Sequence, residues 1–460
     1  MVFASLDFLL VFLPILLFLY IFIDKKYSNI LLLVASLFFY YMGMNSDILL
    51  LIGLVLFVYI FGNIIDSFRG KKINKLFLFF SISFIIINLI YFKYFSVFKN
   101  IFSLKKDVLL PLGISFFSFQ MISYLVDVYR GEEAVNNPFK LALYICFFPQ
   151  LIAGPIVKYK DIKKYLSIKY RRIKIDNIYD GLRRFIIGLS KKVLIANNLA
   201  NIVYIVFDHN PNMSRSIMLA WFGAIAFTLE LYYDFSGYSD MAIGLAKLFG
   251  FNLKENFNYP LVSKNIKDFW RRWHISLSNF FKDYVYIPLG GNKCSYLKHV
   301  FNLLLVWLLT GIWHGSSKTF ILWGLIYGIL IIIEEKIFKY KLNKYILTIY
   351  RIFTFIIIVI LFVVFRCDNI SFSSKYILSM FGIGASSFID SIFIFQFSNY
   401  FLLFIISIIF MFPIYPMLEK KYSNSIIYKT ISLILIIICF ITSISFIYMN
   451  GFNPFLYFIF

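Results

Sequence analysis

Charge is what this sequence has least of: 15% of its 460 residues are Asp, Glu, Lys or Arg, where a soluble domain averages about 25%. With 61% hydrophobic residues, a soluble fold would need an implausibly large interior. The apolar residues run on in stretches at 9–23, 48–65, 303–312, 352–365 and 431–448. Several of these reach or approach the roughly 20 residues that cross a bilayer core. Acidic residues are scarcer still, 23 against 45 basic ones, for a net charge of +22. In a soluble chain that excess would point to nucleic acid. No nucleic-acid motif accompanies it, so no nucleic-acid partner is expected; basic loops held against anionic membrane lipid account for the charge. The four cysteines, Cys146, Cys294, Cys367 and Cys439, are too widely spaced for a metal pattern or a disulfide framework. A Gly-x-Ser-x-Gly elbow, a phosphate loop and a zinc signature are all missing, so no metal site and no permanently bound cofactor is expected. Linkers, low-complexity tracts and repeats are absent as well, and the chain reads as a single domain over 1–460.

What is present is a series of apolar segments, placed at 7–23, 29–43, 48–65, 76–92, 108–126, 139–156, 181–206, 216–234, 301–313, 319–333, 346–365, 393–415 and 426–449. The expected class is an all-α, multi-pass integral membrane protein. The first run lacks a basic start and a small-residue cleavage site and carries Asp7; Asp24-Lys25-Lys26 follows it. It is therefore expected to be a signal anchor with an outward N-terminus. The loop at 44–47 has no basic residue, whereas Arg69, Lys71, Lys72 and Lys75 crowd the next one. Lys93, Lys99, Lys105 and Lys106 fall on the outer side by simple counting, which a hairpin span or an interfacial position would explain. The strongest basic cluster, 158–174, includes Lys158, Lys160, Lys163, Lys164, Lys169, Arg171 and Arg172 and is expected to face the cytoplasm. Just before it, Pro149, Gly154 and Pro155 interrupt an apolar segment. Irregular backbone at membrane depth survives only within protein or along a water-filled cavity, so 147–155 is either a re-entrant element or a kinked helix.

Polar clusters inside apolar surroundings are the candidates for chemistry. Glu230 and Asp234 lie four apart, on one face of a helix. The bland reading is a polar tie between helices; Asp234 is also a candidate for orienting a catalytic group, and Gly237 suggests a break or a close backbone approach. The segment 267–292 is aromatic and basic and reads as an interfacial or internal helix ending at Pro288-Leu289-Gly290-Gly291. Within it, Arg271 and Arg272 suit the phosphates of an anionic donor, or lipid headgroups. His314 ends an apolar run with Gly311 and Gly315 close by. Histidine titrates near neutrality and is the usual general base, although a lone membrane histidine more often bridges helices. Two Trp-His pairs, Trp273-His274 and Trp313-His314, weigh against that reading. His209 and His299 are expected in loops.

These residues are where the chain resembles a known family. The stretches 111–120, 127–131, 147–155, 234–244, 258–260, 269–291 and 310–315, and above all the segments Trp270-Arg271-Arg272-Trp273-His274 and Gly311-Ile312-Trp313-His314-Gly315 within the last two, are similar to the membrane-bound O-acyltransferase superfamily. The similarity is to its branch containing the alginate O-acetylation membrane protein and the peptidoglycan O-acetyltransferase. The resemblance implies a ring of transmembrane and tilted or re-entrant helices around a funnel and tunnel. It makes His314 the catalytic histidine and His274 the second functional position, which is often Asn elsewhere in the family. It implies acetyl-CoA as the donor, entering from the cytoplasm, an extracytoplasmic O-acetyltransferase or esterase-like partner, and a polysaccharide acceptor outside a bacterial inner membrane. An AT-rich composition favours peptidoglycan over alginate. The branch commonly ends Phe-Ile-Tyr-Phe-Gln-Phe, whereas this chain ends Phe455-Leu456-Tyr457-Phe458-Ile459-Phe460. In the related D-alanine system a separate small protein with a similar tail offers its tyrosine as carrier, which makes Tyr457 a candidate acyl carrier here; the bland alternative is an interfacial anchor. D-alanyl or fatty-acyl transfer on the same fold and a transporter without chemistry are the competing functions. A transporter predicts inverted repeats, which the sequence lacks.

Overall fold

The computed structural model describes residues 1–43, 47–95, 97, 99, 109–171, 175–209, 214–338 and 343–450. Of the described residues 78% are helical, and none lies in a strand. The helices are α1 (Asp7–Phe22), α2 (Ser28–Tyr41), α3 (Ile48–Ser67), α4 (Asn74–Lys93), α5 (Ile114–Tyr129), α6 (Pro138–Cys146), α7 (Ile175–Asp208) and α8 (Ile217–Leu248). They continue as α9 (Ile266–Arg272), α10 (Ile275–Phe281), α11 (Tyr296–His314), α12 (Lys318–Ile337) and α13 (Lys344–Arg366). The last four are α14 (Ile370–Met380), α15 (Ser391–Phe410), α16 (Ile414–Tyr422) and α17 (Ile426–Asn450). Among the described residues, 8 helices are long and apolar enough to cross a membrane: α3, α4, α7, α8, α11, α13, α15 and α17. An all-α, multi-pass membrane protein is thus what the chain forms.

Three expected segments differ in form. The span at 216–234 continues unbroken to Leu248, so Gly237 does not interrupt it. A helical glycine costs about 1 kcal/mol, less than leaving backbone groups unpaired in apolar surroundings. The span at 139–156 is α6 and then a single turn at Phe148–Leu151, because Pro149 cannot extend the first helix. Its irregular continuation through Val157 is buried in protein. The segment 267–292 is two short helices, α9 and α10, with the break at Trp273 and His274.

The chain divides into two compact units. One comprises Met1–Gly188, Tyr238–Glu255 and Asn279–Val285. There Tyr124 packs on Gly62, where an added Cβ would lie 2.6 Å from the ring, and its hydroxyl accepts the Val135 N–H. The basic cluster belongs to this unit and is partly tied down. Lys158 pairs with Asp283 at 2.5 Å and Lys163 with Glu132 at 3.2 Å. Arg171 is buried over the Phe251 ring and donates to Ser28 and Asn29; that burial draws its guanidinium below the usual arginine range. Arg172 lies outside the described residues.

The other unit comprises Leu189–Gly237, Asn256–Ser278 and Tyr286–Phe460. It is organised around the hairpin of α11 and α12. A Cβ at Gly324 would sit 2.4 Å from the Trp307 carbonyl oxygen, and one at Gly311 would sit 2.5 Å from the Phe320 carbonyl oxygen. These glycines let the two backbones touch, the means by which helices associate where lipid removes the hydrophobic incentive. Ser317 caps α12 through the Thr319 N–H and Asn343 caps α13 through the Ile346 N–H. In the same unit Lys192 and Asp234 form a buried ion pair at 2.5 Å between α7 and α8, so Asp234 serves as a tie between helices, one turn from the buried Glu230.

Candidate active site

His314 is the last residue of α11, and its ring is boxed by aromatic rings. Trp323 and Phe365 meet it edge to face at 5.1 and 5.0 Å, Trp313 at 4.8 Å and Phe320 at 6.1 Å. The two nearby glycines serve the close packing of helices. Gly311 admits the Phe320 backbone, and a Cβ at Gly315 would lie 2.8 Å from the Phe320 ring. Both bring α12 against α11, and α12 carries Trp323 to the histidine.

His274 sits between α9 and α10 with φ of 43°. Tyr259, at 48°, is the other non-glycine residue with positive φ among those described. Such a conformation costs on the order of 1–2 kcal/mol for a residue with a Cβ and gathers at functional sites; here both instances fall within 259–274. The backbone is held there by Asn256. Its carbonyl accepts the Ile275 N–H at 2.9 Å, and its Oδ1 accepts the Ser276 N–H at 3.1 Å and the Ser276 hydroxyl at 2.9 Å. A backbone N–H can only donate, so the atom facing Ser276 is the amide oxygen. His274 Nδ1 lies 3.3 Å from that same oxygen and therefore carries the proton, leaving the lone pair on Nε2. Burial pushes the His274 pKa down to about 3, so the ring is neutral near pH 7. Phe235 meets it edge to face at 4.7 Å and Phe257 stacks at 6.4 Å.

The two histidines, 40 positions apart in sequence, pack on one side chain: Trp313 lies 5.9 Å from the His274 ring and 4.8 Å from the His314 ring. Trp323, which meets the His314 ring, also meets Trp270 at 5.6 Å, and Trp270 in turn meets Trp307 and Tyr327 at 4.6 and 5.0 Å. Both histidines are buried.

The two arginines separate. Arg272 is engaged, with Nε donating to Asp268 at 3.0 Å and Nη1 to the Asn258 carbonyl at 3.4 Å. Arg271 is exposed. His299 lies in the first turn of α11 rather than in a loop, where it bridges Tyr286 at 3.0 Å and Glu335 at 2.8 Å; His209 follows α7. Tyr457 lies outside the described residues. Among the described residues no three His, Cys, Asp or Glu side chains gather as a metal site would require. Sequence reasoning missed Asn256, Trp323 and Phe365. The Gly324-Leu325-Ile326-Tyr327-Gly328 spacing was a signal for the close helix pair that brings in Trp323; nothing local marks Asn256 or Phe365.

The family model for the membrane-bound O-acyltransferase family matches residues 129–377. A probable alginate O-acetylase of Pseudomonas aeruginosa is 39% identical over 400 residues, covering 84% of this chain and 75% of the relative. A peptidoglycan O-acetyltransferase of Helicobacter pylori is 36% identical over 401 residues, covering 79% and 76%. A teichoic acid D-alanyltransferase of Bacillus subtilis is 33% identical over 232 residues, covering 48% and 57%.

Proposed function

Because the chain belongs to the membrane-bound O-acyltransferase family, we propose that it transfers acetyl groups from cytoplasmic acetyl-CoA across the bacterial inner membrane, for O-acetylation of an extracytoplasmic polysaccharide. The observation that carries this reading is the convergence of His314 and His274 on Trp313 inside an aromatic enclosure. Acetyl is favoured over D-alanyl because the likeness to the O-acetylating relatives covers most of the chain and that to the D-alanyltransferase about half. The acceptor is peptidoglycan or a secreted polysaccharide such as alginate. A partner transferase outside the membrane completes the reaction, since a polysaccharide is too large for a narrow tunnel.

A thioester arrives already activated, so the site has to supply a base, a stabilised oxyanion and the exclusion of water. His314 is the base. His274 can either donate to the oxyanion or hold the acceptor. Its protonated Nδ1 leaves a lone pair at Nε2 and suits holding a hydroxyl. Arg271, exposed and adjacent to the engaged Arg272, is the better placed of the two for the donor phosphates. Tyr457 is the proposed small acceptor. Its phenol oxygen attacks the thioester carbonyl, its proton passes to His314, and the C–S bond breaks, the thiolate taking that proton to leave as free thiol. The aryl ester then gives the acetyl group to a hydroxyl of the partner, and the tyrosine is restored.

The test is acetyl transfer from labelled acetyl-CoA by the purified, lipid-embedded protein. Loss of general-base catalysis costs about 10²–10⁴ in rate, so His314→Gln should lose turnover to that extent while inserting normally. Substantial turnover by a well-folded His314→Gln would remove the assignment. Comparing O-acetyl content of cell wall and secreted polysaccharide, with and without this gene, identifies the acceptor.

A further inference from the structure

Two adjacent carboxylates near the end of α12 are not accounted for by the acyl-transfer chemistry. Glu334 is buried, and its carboxylate faces the start of α9. The Ile266 N–H donates to Oε1 at 2.7 Å and the Lys267 N–H to Oε2 at 2.9 Å, while the Tyr350 hydroxyl of α13 donates to Oε1 at 2.9 Å. Glu335 next to it accepts from Lys267 Nζ at 2.9 Å and meets His299 Nε2 at 2.8 Å; His299 in turn meets the Tyr286 hydroxyl. The first backbone N–H groups of a helix have no partner within it. Here Asn265 of the same segment takes one, from Asp268, and a carboxylate on a distant helix takes two more.

The placement of that grip gives it meaning. α9 is a two-turn helix whose far end leads directly into His274. The histidine's other side is fixed by Asn256 through Ile275 and Ser276. The strained His274 is thus clamped from both directions, by Asn256 after it and by Glu334 through α9 before it. The helix that supplies Glu334 also supplies Trp323, which lies against the His314 ring. The two positions are 334 − 323 = 11 residues apart, about 16 Å along a helix. α12 is therefore a single strut that touches the His314 ring near one end and grips the helix leading to His274 near the other.

We propose that Glu334 is a positioning residue for acyl transfer: by holding the start of α9 to α12, it sets His274 at its working distance from His314. It touches no reacting atom and acts through His274. The proposal rests on the reading that His274 and His314 form the active site.

The test is a double-mutant cycle in the lipid-embedded protein, reading kcat, the KM for acetyl-CoA and thermal stability. Glu334→Gln is nearly the same size, but its amide nitrogen must face an N–H donor, so one of the two grips on α9 is lost. A misplacement of about 1 Å at a reacting centre costs roughly 10²-fold. Glu334→Gln is expected to lower kcat about tenfold or more with KM changed less than about twofold, and to cost no further activity in a His274→Ala background. Tyr350→Phe, which leaves both backbone bonds in place, is expected to give a smaller loss with the same coupling to His274, and it carries the test if Glu334→Gln fails to fold. Losses that multiply with that of His274→Ala overturn the proposal, because a cap serving stability alone acts independently of the histidine. Unchanged kcat in Glu334→Gln overturns it too. Unimpaired turnover in His274→Ala instead removes the active-site reading beneath it.

Discussion

Gly324→Ala adds one methyl group at the tightest point between α11 and α12. Its Cβ would lie 2.4 Å from the Trp307 carbonyl oxygen and 3.2 Å from the Gly311 nitrogen, and ordinary contact begins at 3.4 Å. The shortfall is 3.4 − 2.4 = 1.0 Å against backbone of the facing helix, which has no rotamer to escape into. α12 must back away by about that distance, and Trp323, the preceding residue, moves with it off the His314 ring. Overpacking of this kind costs about 1–3 kcal/mol, offset by up to about 1 kcal/mol from the better helix propensity of alanine. The stability loss is therefore small. The functional loss should be larger, because a 1 Å displacement at the reacting centre is worth about 10²-fold in rate. The assay is acetyl transfer by the purified protein in lipid nanodiscs, with thermal unfolding followed in parallel. Gly53→Ala is the control, since an added Cβ there meets nothing within 4 Å; it should leave turnover unchanged and raise stability by up to about 1 kcal/mol through helix propensity alone. Wild-type turnover in Gly324→Ala would refute the argument that the helix contact sets the geometry around His314.

Arg271→Ala should raise the KM for acetyl-CoA and leave thermal stability unchanged, whereas Arg272→Ala should lower stability, because it removes a bond to Asp268 and one to the Asn258 carbonyl; equal effects on KM from the two variants would contradict the distinction. Tyr457→Phe removes only a hydroxyl and should abolish transfer to the partner, with mass spectrometry of the wild type detecting acetyl on Tyr457 when the partner is absent; normal acetylation by the variant would rule out the carrier role. His274 has a folded pKa of about 3 against about 6.5 for an unfolded histidine, so the unfolded state binds the proton more tightly. Its contribution to stability is whole above about pH 6.5 and falls by about 1.4 kcal/mol per pH unit below that, towards pH 3. In thermal unfolding measured between pH 7 and 5, His274→Asn should remove that share of the acid sensitivity while tolerating the same left-handed backbone; an unchanged slope would place the proton elsewhere.

The sequence by itself determined the membrane class, the approximate position of most spans and the two Trp-His segments that carry the family. Each rests on local information. A spanning helix must satisfy its own backbone hydrogen bonds, so its length and apolar content are written along the chain. The two Trp-His motifs are likewise contiguous stretches of rare residues in an apolar background. The tertiary structure decided what those stretches meet. His274 reads as part of a continuous helix, yet it interrupts one, because Asn256, 18 positions earlier, holds it at positive φ. Arg271 and Arg272 are indistinguishable as neighbours, and the fold engages Arg272 with Asp268 and Asn258 while leaving Arg271 exposed. Trp323 and Phe365 look like any other apolar residues of their helices, and they border His314 because Gly311 and Gly324 let α11 and α12 touch and α13 packs beside them. The physical reason is the solvent. In water a helix shows its inner face as an apolar stripe, but in lipid the outer face is apolar as well, so periodicity no longer says which side looks inward. Close packing and a few polar contacts make that choice, and both are properties of pairs of segments far apart in the chain.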